Sequence, residues 1–503
     1  MKRNSLLKNT IFGFLSWFLP LGLSFVATPL IVRGLGVEEF GIYSLILGFV
    51  SYSFTFNVGR AIVKYVSEFQ AADEHEKISE VISATLLLNL IVGGLGMAIL
   101  VFFARWFVVN LLKIEVELQN EAVAGFYFAS AIIFMTMLNQ STSAIVQAVH
   151  RFDIYSYITV GTTSILAAGN IVLIGLHPKI ETLLIWNLAV LVISSAVFYF
   201  YAKRLLPGLK LTLRFPREIF WLVVKYSAAI AVFQILGNVM LLFERVWITN
   251  RLGTEFVAYY VISLNLGIYI HAFITSITLA LFPLASEVKS RGETAKLLTL
   301  YTKATKIVLV LAAFLTLTMV NARIFILHLW LGDDFVNNSS ETLIIHALTF
   351  GLLAVFIISF QTIEGAGFPN VIAVITFGWV VISIPLMIIF IDGYGIRGVA
   401  AGRFFGEIVF IPAVLYIESK VFGKILWSFW LKILPLIALA VLLASIAQIL
   451  IYRNLQISWV NLLLGAAVGG LVYGLFLFLA GIISAAEKKW LKDLFARKVF
   501  KTS

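Results

Sequence analysis

Cysteine is absent from this chain of 503 residues, which excludes disulfides and thiolate metal sites. Charge is scarce as well. Asp, Glu, Lys and Arg make up 13% of the residues, against roughly 25% in an ordinary soluble protein. The six histidines are scattered and form no His-x-x-x-His or similar ligand pair, which speaks against a metal-dependent membrane protease. No G-x-x-x-x-G-K-[ST] segment offers a phosphate cradle, so the chain has no nucleotide site of that kind. Long polar stretches are missing too: the basic one from Ala202 to Ile219, like the others, is too short for a folded domain. What fills the chain is apolar. Hydrophobic residues reach 61% and the mean hydropathy is +1.00, the composition of an integral membrane protein.

The net charge of +11 would suggest nucleic acid in a soluble protein. In a membrane protein, excess Lys and Arg belongs to the cytoplasmic loops, and no nucleic-acid partner is expected. Lys2, Arg3 and Lys8 precede an apolar run as in a signal peptide. That run, 11–32, is long enough to span and has no cleavage site followed by a soluble domain, so it reads as a first membrane helix.

A span needs about 20 apolar residues. Fourteen runs qualify, near 11–32, 41–66, 80–103, 122–147, 154–176, 180–202, 220–249, 256–283, 305–327, 341–362, 370–391, 396–417, 427–451 and 459–483. With the N-terminus inside, the cytoplasmic loops collect well over half of the 37 Lys and Arg. This bias predicts an even number of spans, with both termini in the cytoplasm of a cytoplasmic (inner) membrane protein. The basic loop Ala202–Ile219 reads as an orientation anchor, an anionic-lipid contact and a hinge.

One segment occurs twice. L-G-V-E-E-F-G-I-Y runs from Leu35 to Tyr43, and L-G-T-E-F-V-A-Y-Y from Leu252 to Tyr260. Glu39 and Glu255 lie 216 residues apart, as do Phe152 and Phe368. This offset maps the first six spans onto the next six in the same orientation, a parallel repeat. The expected architecture is therefore an all-α integral membrane protein of about 14 transmembrane helices. It divides into a six-helix lobe at 1–214, a second at 215–420, and helices 13 and 14 with a basic tail at 421–503. Gly465, Gly469, Gly470 and Gly474 predict close packing in the last helix, with a lipid-tail groove as the alternative.

K-N-T-I-F-G-F at Lys8–Phe14 and P-L-I-V-R-G-L-G-V-E-E-F-G-I-Y-S-L at Pro29–Leu45 resemble the polysaccharide flippases (Wzx-type) of the MOP superfamily. So do L-G-D-D-F at Leu331–Phe335 and E-G-A-G-F-P-N at Glu364–Asn370. The resemblance covers essentially the whole chain. It implies transport of an undecaprenyl-diphosphate-linked sugar repeat unit from the inner to the outer leaflet, by alternating access, for export of an O-antigen or capsule-like polysaccharide. It also implies membrane lipid, a polysaccharide polymerase and chain-length proteins as partners. Two other functions compete. A multidrug or cation antiporter of the same superfamily has twelve spans without the appended pair. A membrane polysaccharide polymerase or ligase needs a large outer catalytic loop, which this chain lacks.

Charges within spans are costly and mark candidate sites. Arg60 and Lys64 share one face of the second span by i,i+4 spacing. Counting from Gly41 along a continuous helix puts Arg60 roughly 28 Å in, near the cytoplasmic interface. Together with Arg245 and Arg403 they are the substrate-binding candidates, because an arginine fork suits a phosphate. Glu244, Glu364 and Glu407 are the ion-coupling candidates; no cofactor is expected, and the coupling ion is left between H+ and Na+. Arg403 and Glu407 sit at i,i+4 beside a Gly398-Gly402-Gly406 ridge that favours close packing. Arg33, Glu39, Arg251 and Glu255 are outer-turn or gate residues, with Glu39 and Glu255 capping helices or pairing with Arg33 and Arg251. Gly34 and Gly36 read as turn glycines.

Overall fold

The computed structural model describes residues 22–53, 56, 58–212, 216–278, 288 and 292–482. Half of the first expected span (11–21), both basic termini and positions 213–215 of the long basic loop lie outside the described residues. All regular structure among the described residues is helical. Lipid offers no partner to a bare N–H or C=O, and a helix satisfies both within itself.

The chain forms two compact units: Met1–Val261 with Thr376–Gly402, and Ile262–Ile375 with Arg403–Ser503. The first contains α1 (Gly22–Leu35), α2 (Val37–Tyr52), α3 (Gly59–Ala71), α4 (His75–Trp106), α5 (Gln119–Ala148), α6 (Phe152–Leu176), α7 (Ile180–Leu205) and α8 (Arg217–Leu252). Helices α9 (Thr254–Thr278) and α12 (Pro369–Gly406) each run through both units. The second holds α10 (Thr294–Leu331), α11 (Asp333–Gly365), α13 (Phe410–Phe422), α14 (Trp427–Asn454) and α15 (Trp459–Leu479). Large apolar side chains stand outward, among them Phe102 at 83% and Val460 at 74% exposure. That is the surface expected where the surrounding solvent is hydrocarbon.

Ten of the described stretches are long and apolar enough to cross a membrane. One of them, Asn370–Phe422, contains two expected spans. It turns at Gly395, where φ is 58° and ψ −139°. A methyl group on Gly402 would meet the Met387 backbone, and one on Gly398 the Phe390 carbonyl. The glycine ridge thus packs α12 against its own first half. The expected span 41–66 is not one helix: α2 ends at Tyr52 and α3 begins at Gly59. At the break, both the N–H and the hydroxyl of Ser53 donate to the Phe49 carbonyl. A methyl on Gly59 would come within 2.8 Å of the Gln140 carbonyl.

The echoed turn has a third copy. Gly36, Gly253 and Gly332 each follow a leucine at a helix end, with φ of 83°, 107° and 101°, a region only glycine enters freely. Each next helix opens with acidic residues, Glu38 and Glu39, Glu255, and Asp333 and Asp334, which suit the positive end of its dipole. Gly34 is helical instead; a methyl there would collide with Ile174. The first two copies touch. A methyl on Gly41 would strike the Thr254 carbonyl, so the start of α2 lies directly on the start of α9.

The pair α14–α15 is held by polar clasps. Gln448 on α14 receives from Asn321 at 3.0 Å and donates to Thr318 at 3.1 Å, both on α10. Tyr473 donates to the Val310 carbonyl and Lys306 to the Ile482 carbonyl. Gly465 and Gly469 lie against Tyr452 and Gln448, and Gly470 against Phe314. Three of the four expected glycines of α15 thus serve close packing; Gly474 does not, since a methyl there would meet nothing within 4 Å.

Candidate functional site

Helix α3 differs from the apolar helices around it. Ala61, Ile62, Tyr65 and Val66 are buried in a core with Val81 and Ile82 of α4, Ile145 and Ala148 of α5, and Val223 of α8. Arg60, Lys64 and Glu68 fall at i,i+4 steps on the opposite side and are exposed. The water-side end of α3 is marked by the turn after Ala71, with a Glu74–Lys77 ion pair of 2.9 Å. From that end Arg60 lies roughly 16 Å along the helix. An exposed cationic face on a helix of an apolar bundle needs water or an anion against it. Lys64 is further defined by aromatic rings: its ammonium is 4.8 Å from the Tyr65 centroid and 4.7 Å from that of Tyr226 on α8. Both rings attract the cation.

The other two substrate-binding candidates are buried. Arg245 and its neighbour Glu244 are buried, at 4% and 0% exposure. The Arg245 guanidinium donates to the Leu241 carbonyl at 2.8 Å and stacks 5.1 Å from the Tyr52 ring. A methyl on Gly48 would come within 2.5 Å of Arg245 Cδ. The cation thus lies along the last turns of α2, the negative end of that helix dipole. Arg403, at 3% exposure, and Glu407, at 0%, belong to the second unit. Arg403 stands 5.1 Å above the Phe350 ring, and Glu407 opens a tight turn at Glu407–Val409. Glu364 is exposed in the last turn of α11.

At the outer turns Arg33 and Arg251 are exposed and Glu39 and Glu255 half-buried. Arg251 pairs with Asp392 at 3.8 Å rather than with Glu255, and stacks on Trp247. The α12 turn brings Asp392 there, with Gly395 against Leu252. Glu39 sits in the first turn of α2 without a side-chain cap to it. Burial, then the neighbouring carboxylates Glu121 and Glu38, raise its pKa above the ordinary 4.5.

Three polar groups escaped sequence reading. His346 is wholly buried on α11, and His271 half-buried on α9. Glu418 is buried on α13, where it accepts from Tyr301 at 3.0 Å, Trp430 at 2.8 Å and the Leu426 N–H at 2.8 Å. A lone histidine in the run Leu343–Leu348 was a visible signal, but its company comes from residues far along the chain.

Comparison with known proteins places these features. A family described as polysaccharide biosynthesis protein matches residues 6–289. A putative O-antigen transporter of Shigella flexneri is 23% identical over 404 residues, 79% of this chain and 93% of the relative. Among solved structures, the lipid II flippase MurJ in an inward closed conformation superposes with a TM-score of 0.71 at 16% identity, covering 97% of this chain and 100% of its own. An inward-facing multidrug resistance transporter of the MATE family, within the MOP superfamily, gives 0.69 at 14% identity, covering 81% and 94%. These likenesses establish a transporter fold of the MOP type, multi-pass and all-helical.

Proposed function

We propose that this chain, which belongs to the polysaccharide biosynthesis protein family, is a flippase that moves a polyprenyl-diphosphate-linked oligosaccharide across the membrane, and not an enzyme that alters it. The observation that carries the reading is the exposed face of α3, with Arg60 and Lys64 one turn apart on it. A diphosphate is the part of such a substrate least compatible with hydrocarbon. A planar guanidinium meets it with paired donors, and an ammonium held by two tyrosine rings adds a point charge. The polyprenyl tail stays in lipid, and the sugars meet neutral polar side chains. The name of the Shigella relative supports an O-antigen-like cargo. The undecaprenyl carrier, the cytoplasmic membrane, cytoplasmic termini and a downstream polymerase complete the reading. Movement of the cargo follows from alternating access, driven by a gradient of ions or of product.

Reconstitution tests it. Purified protein in vesicles should carry a labelled undecaprenyl-diphosphate oligosaccharide from one leaflet to the other and leave it chemically intact. Arg60→Ala should insert normally and lose roughly tenfold or more in rate, because a hydrogen bond to a charged group contributes about 1.5–3 kcal/mol. Export of cationic dyes with indifference to the lipid would replace this reading with a multidrug antiporter. Full activity of Arg60→Ala would remove α3 from the mechanism.

A further inference from the structure

Lys64 lies on α3, a helix of the first expected repeat, but its seat is shared with the second. Tyr65 is its neighbour on α3, and Tyr226 comes from α8, which opens the second repeat. The ammonium is 4.8 Å from one ring centroid and 4.7 Å from the other. The two rings meet edge to face, 5.5 Å apart at 70°. Phe69 stacks on Tyr65 at 6.5 Å, and Tyr65 is 7% exposed. Beside them Val223 of α8 joins Ile62 and Val66 of α3 in one core. Among the described residues no carboxylate pairs with the ammonium, although Glu68 stands one turn away on the same helix, and neither phenol oxygen has a hydrogen-bond partner. The rings alone hold the cation.

Such a seat is one that a cation can leave. A ring attracts an ammonium through its quadrupole, and a charge-assisted hydrogen bond to a phosphate oxygen is the stronger of the two interactions. A carboxylate partner would compete with an incoming anion, whereas a ring does not. Lysine suits the transfer, because its stem is flexible and its ammonium is a point charge with three rotatable donors; a guanidinium would stack on the rings instead. When the ammonium leaves, one of the contacts by which Tyr226 grips α3 goes with it.

We propose that Tyr65 and Tyr226 are positioning residues that park the Lys64 ammonium in the empty transporter, and that the cargo's diphosphate draws it off the rings and so loosens α8 from α3. No covalent bond changes; the ammonium exchanges two ring faces for phosphate oxygens. The assignment rests on the flippase reading above and adds to it Tyr226, a residue that acts on the cargo through Lys64.

Two experiments test it, both on the full chain in phosphatidylcholine nanodiscs. In the first, lysines are 13C-dimethylated, which keeps their charge, and Lys64→Arg assigns the Lys64 signal by its loss. In the empty protein that signal should lie upfield of those of other exposed lysines, because two rings shield it. Tyr226→Phe should leave it there, and Tyr226→Leu should return it most of the way. Undecaprenyl diphosphate should move it downfield in the wild type, and phosphatidylglycerol at the same concentration should not. An unshifted Lys64 signal in the empty protein, or one that phosphatidylglycerol moves as far, overturns the proposal. The second experiment uses the absence of cysteine. Spin labels on Gln70→Cys in α3 and Lys225→Cys in α8, both exposed positions, report the separation of the helices. Undecaprenyl diphosphate should lengthen it by several ångströms. In Tyr226→Leu the longer separation should be present before the lipid is added, and Tyr226→Phe should behave as wild type. A separation that ignores the lipid, in a protein that flips the labelled oligosaccharide in vesicles, overturns the proposal and leaves the flippase reading standing. A parked Lys64 in a protein that neither answers undecaprenyl diphosphate nor moves the oligosaccharide would sink the flippase reading and this assignment with it.

Discussion

At the scale of single residues, burial separates charges that the sequence left together. Arg60 and Arg245 were equivalent as cations within apolar runs. One is exposed; the other is packed along α2 with its donor on the Leu241 carbonyl. The space for Arg245 exists because residue 48 has no side chain. Overpacking a close contact costs about 1–3 kcal/mol, and a valine at 48 would also push a buried guanidinium off its place. Gly48→Val should therefore lower the thermal midpoint in detergent. Combined with Arg245→Ala, it should cost less than the sum of the two single changes, with a coupling of roughly 0.5–3 kcal/mol. Strict additivity in that double-mutant cycle would show that Gly48 and Arg245 are independent.

At the scale of helices, what was legible followed local rules. The L-G turns were readable because positive φ demands glycine and an acidic residue suits the next helix start, and Gly36 and Gly253 obey both. The Gly398–Gly402 ridge announced close packing, and Met387 and Phe390 receive it. The break between Tyr52 and Gly59 was not legible. Phe54, Phe56 and Val58 carry the apolar pattern on through it, and Gly59 meets the Gln140 carbonyl from far along the chain. In the candidate site Arg60 was named from the sequence, but which of the candidate cations stay exposed depends on such distant packing. Glu418 is a comparable case, since its donors arrive from Tyr301 and Trp430 on other helices. It binds α13 to α10 and to the start of α14. Glu418→Leu strands the indole N–H and the Leu426 N–H and leaves the Tyr301 phenol only Ser359 to bond to. Each buried donor left without a partner costs about 1–3 kcal/mol. The expected result is a large fall in thermal midpoint and faster proteolysis at the 423–426 link. Glu418→Gln, which keeps one acceptor oxygen, should fall in between. A midpoint unchanged in the leucine variant would mean the three donors find other acceptors.

At the scale of the whole molecule, the pair α14–α15 lies outside the repeat expected from the sequence. Its attachment is not the greasy contact its composition suggests. Among the described residues the polar bonds that hold it are buried or half-buried: Gln448 to Thr318 and Asn321, Tyr473 to the Val310 carbonyl, Lys306 to the Ile482 carbonyl, and Trp430 and Leu426 to Glu418. Apolar helices in lipid gain little from contact alone, so association rests on packing and on such bonds. Removing the pair would leave Thr318, Asn321 and Glu418 facing hydrocarbon, where an unsatisfied polar group is expensive. A chain ending after Phe422 should still insert its earlier helices. It should nevertheless melt at a lower temperature than the full chain and run as aggregate in size-exclusion chromatography. Triple replacement Thr318→Val, Asn321→Leu, Glu418→Leu in the truncated chain should restore part of the monomeric fraction, because it removes the stranded groups themselves. Were the truncated chain as stable as the full one without those replacements, the clasps would be incidental and the pair a separate module tethered by the 423–426 link alone.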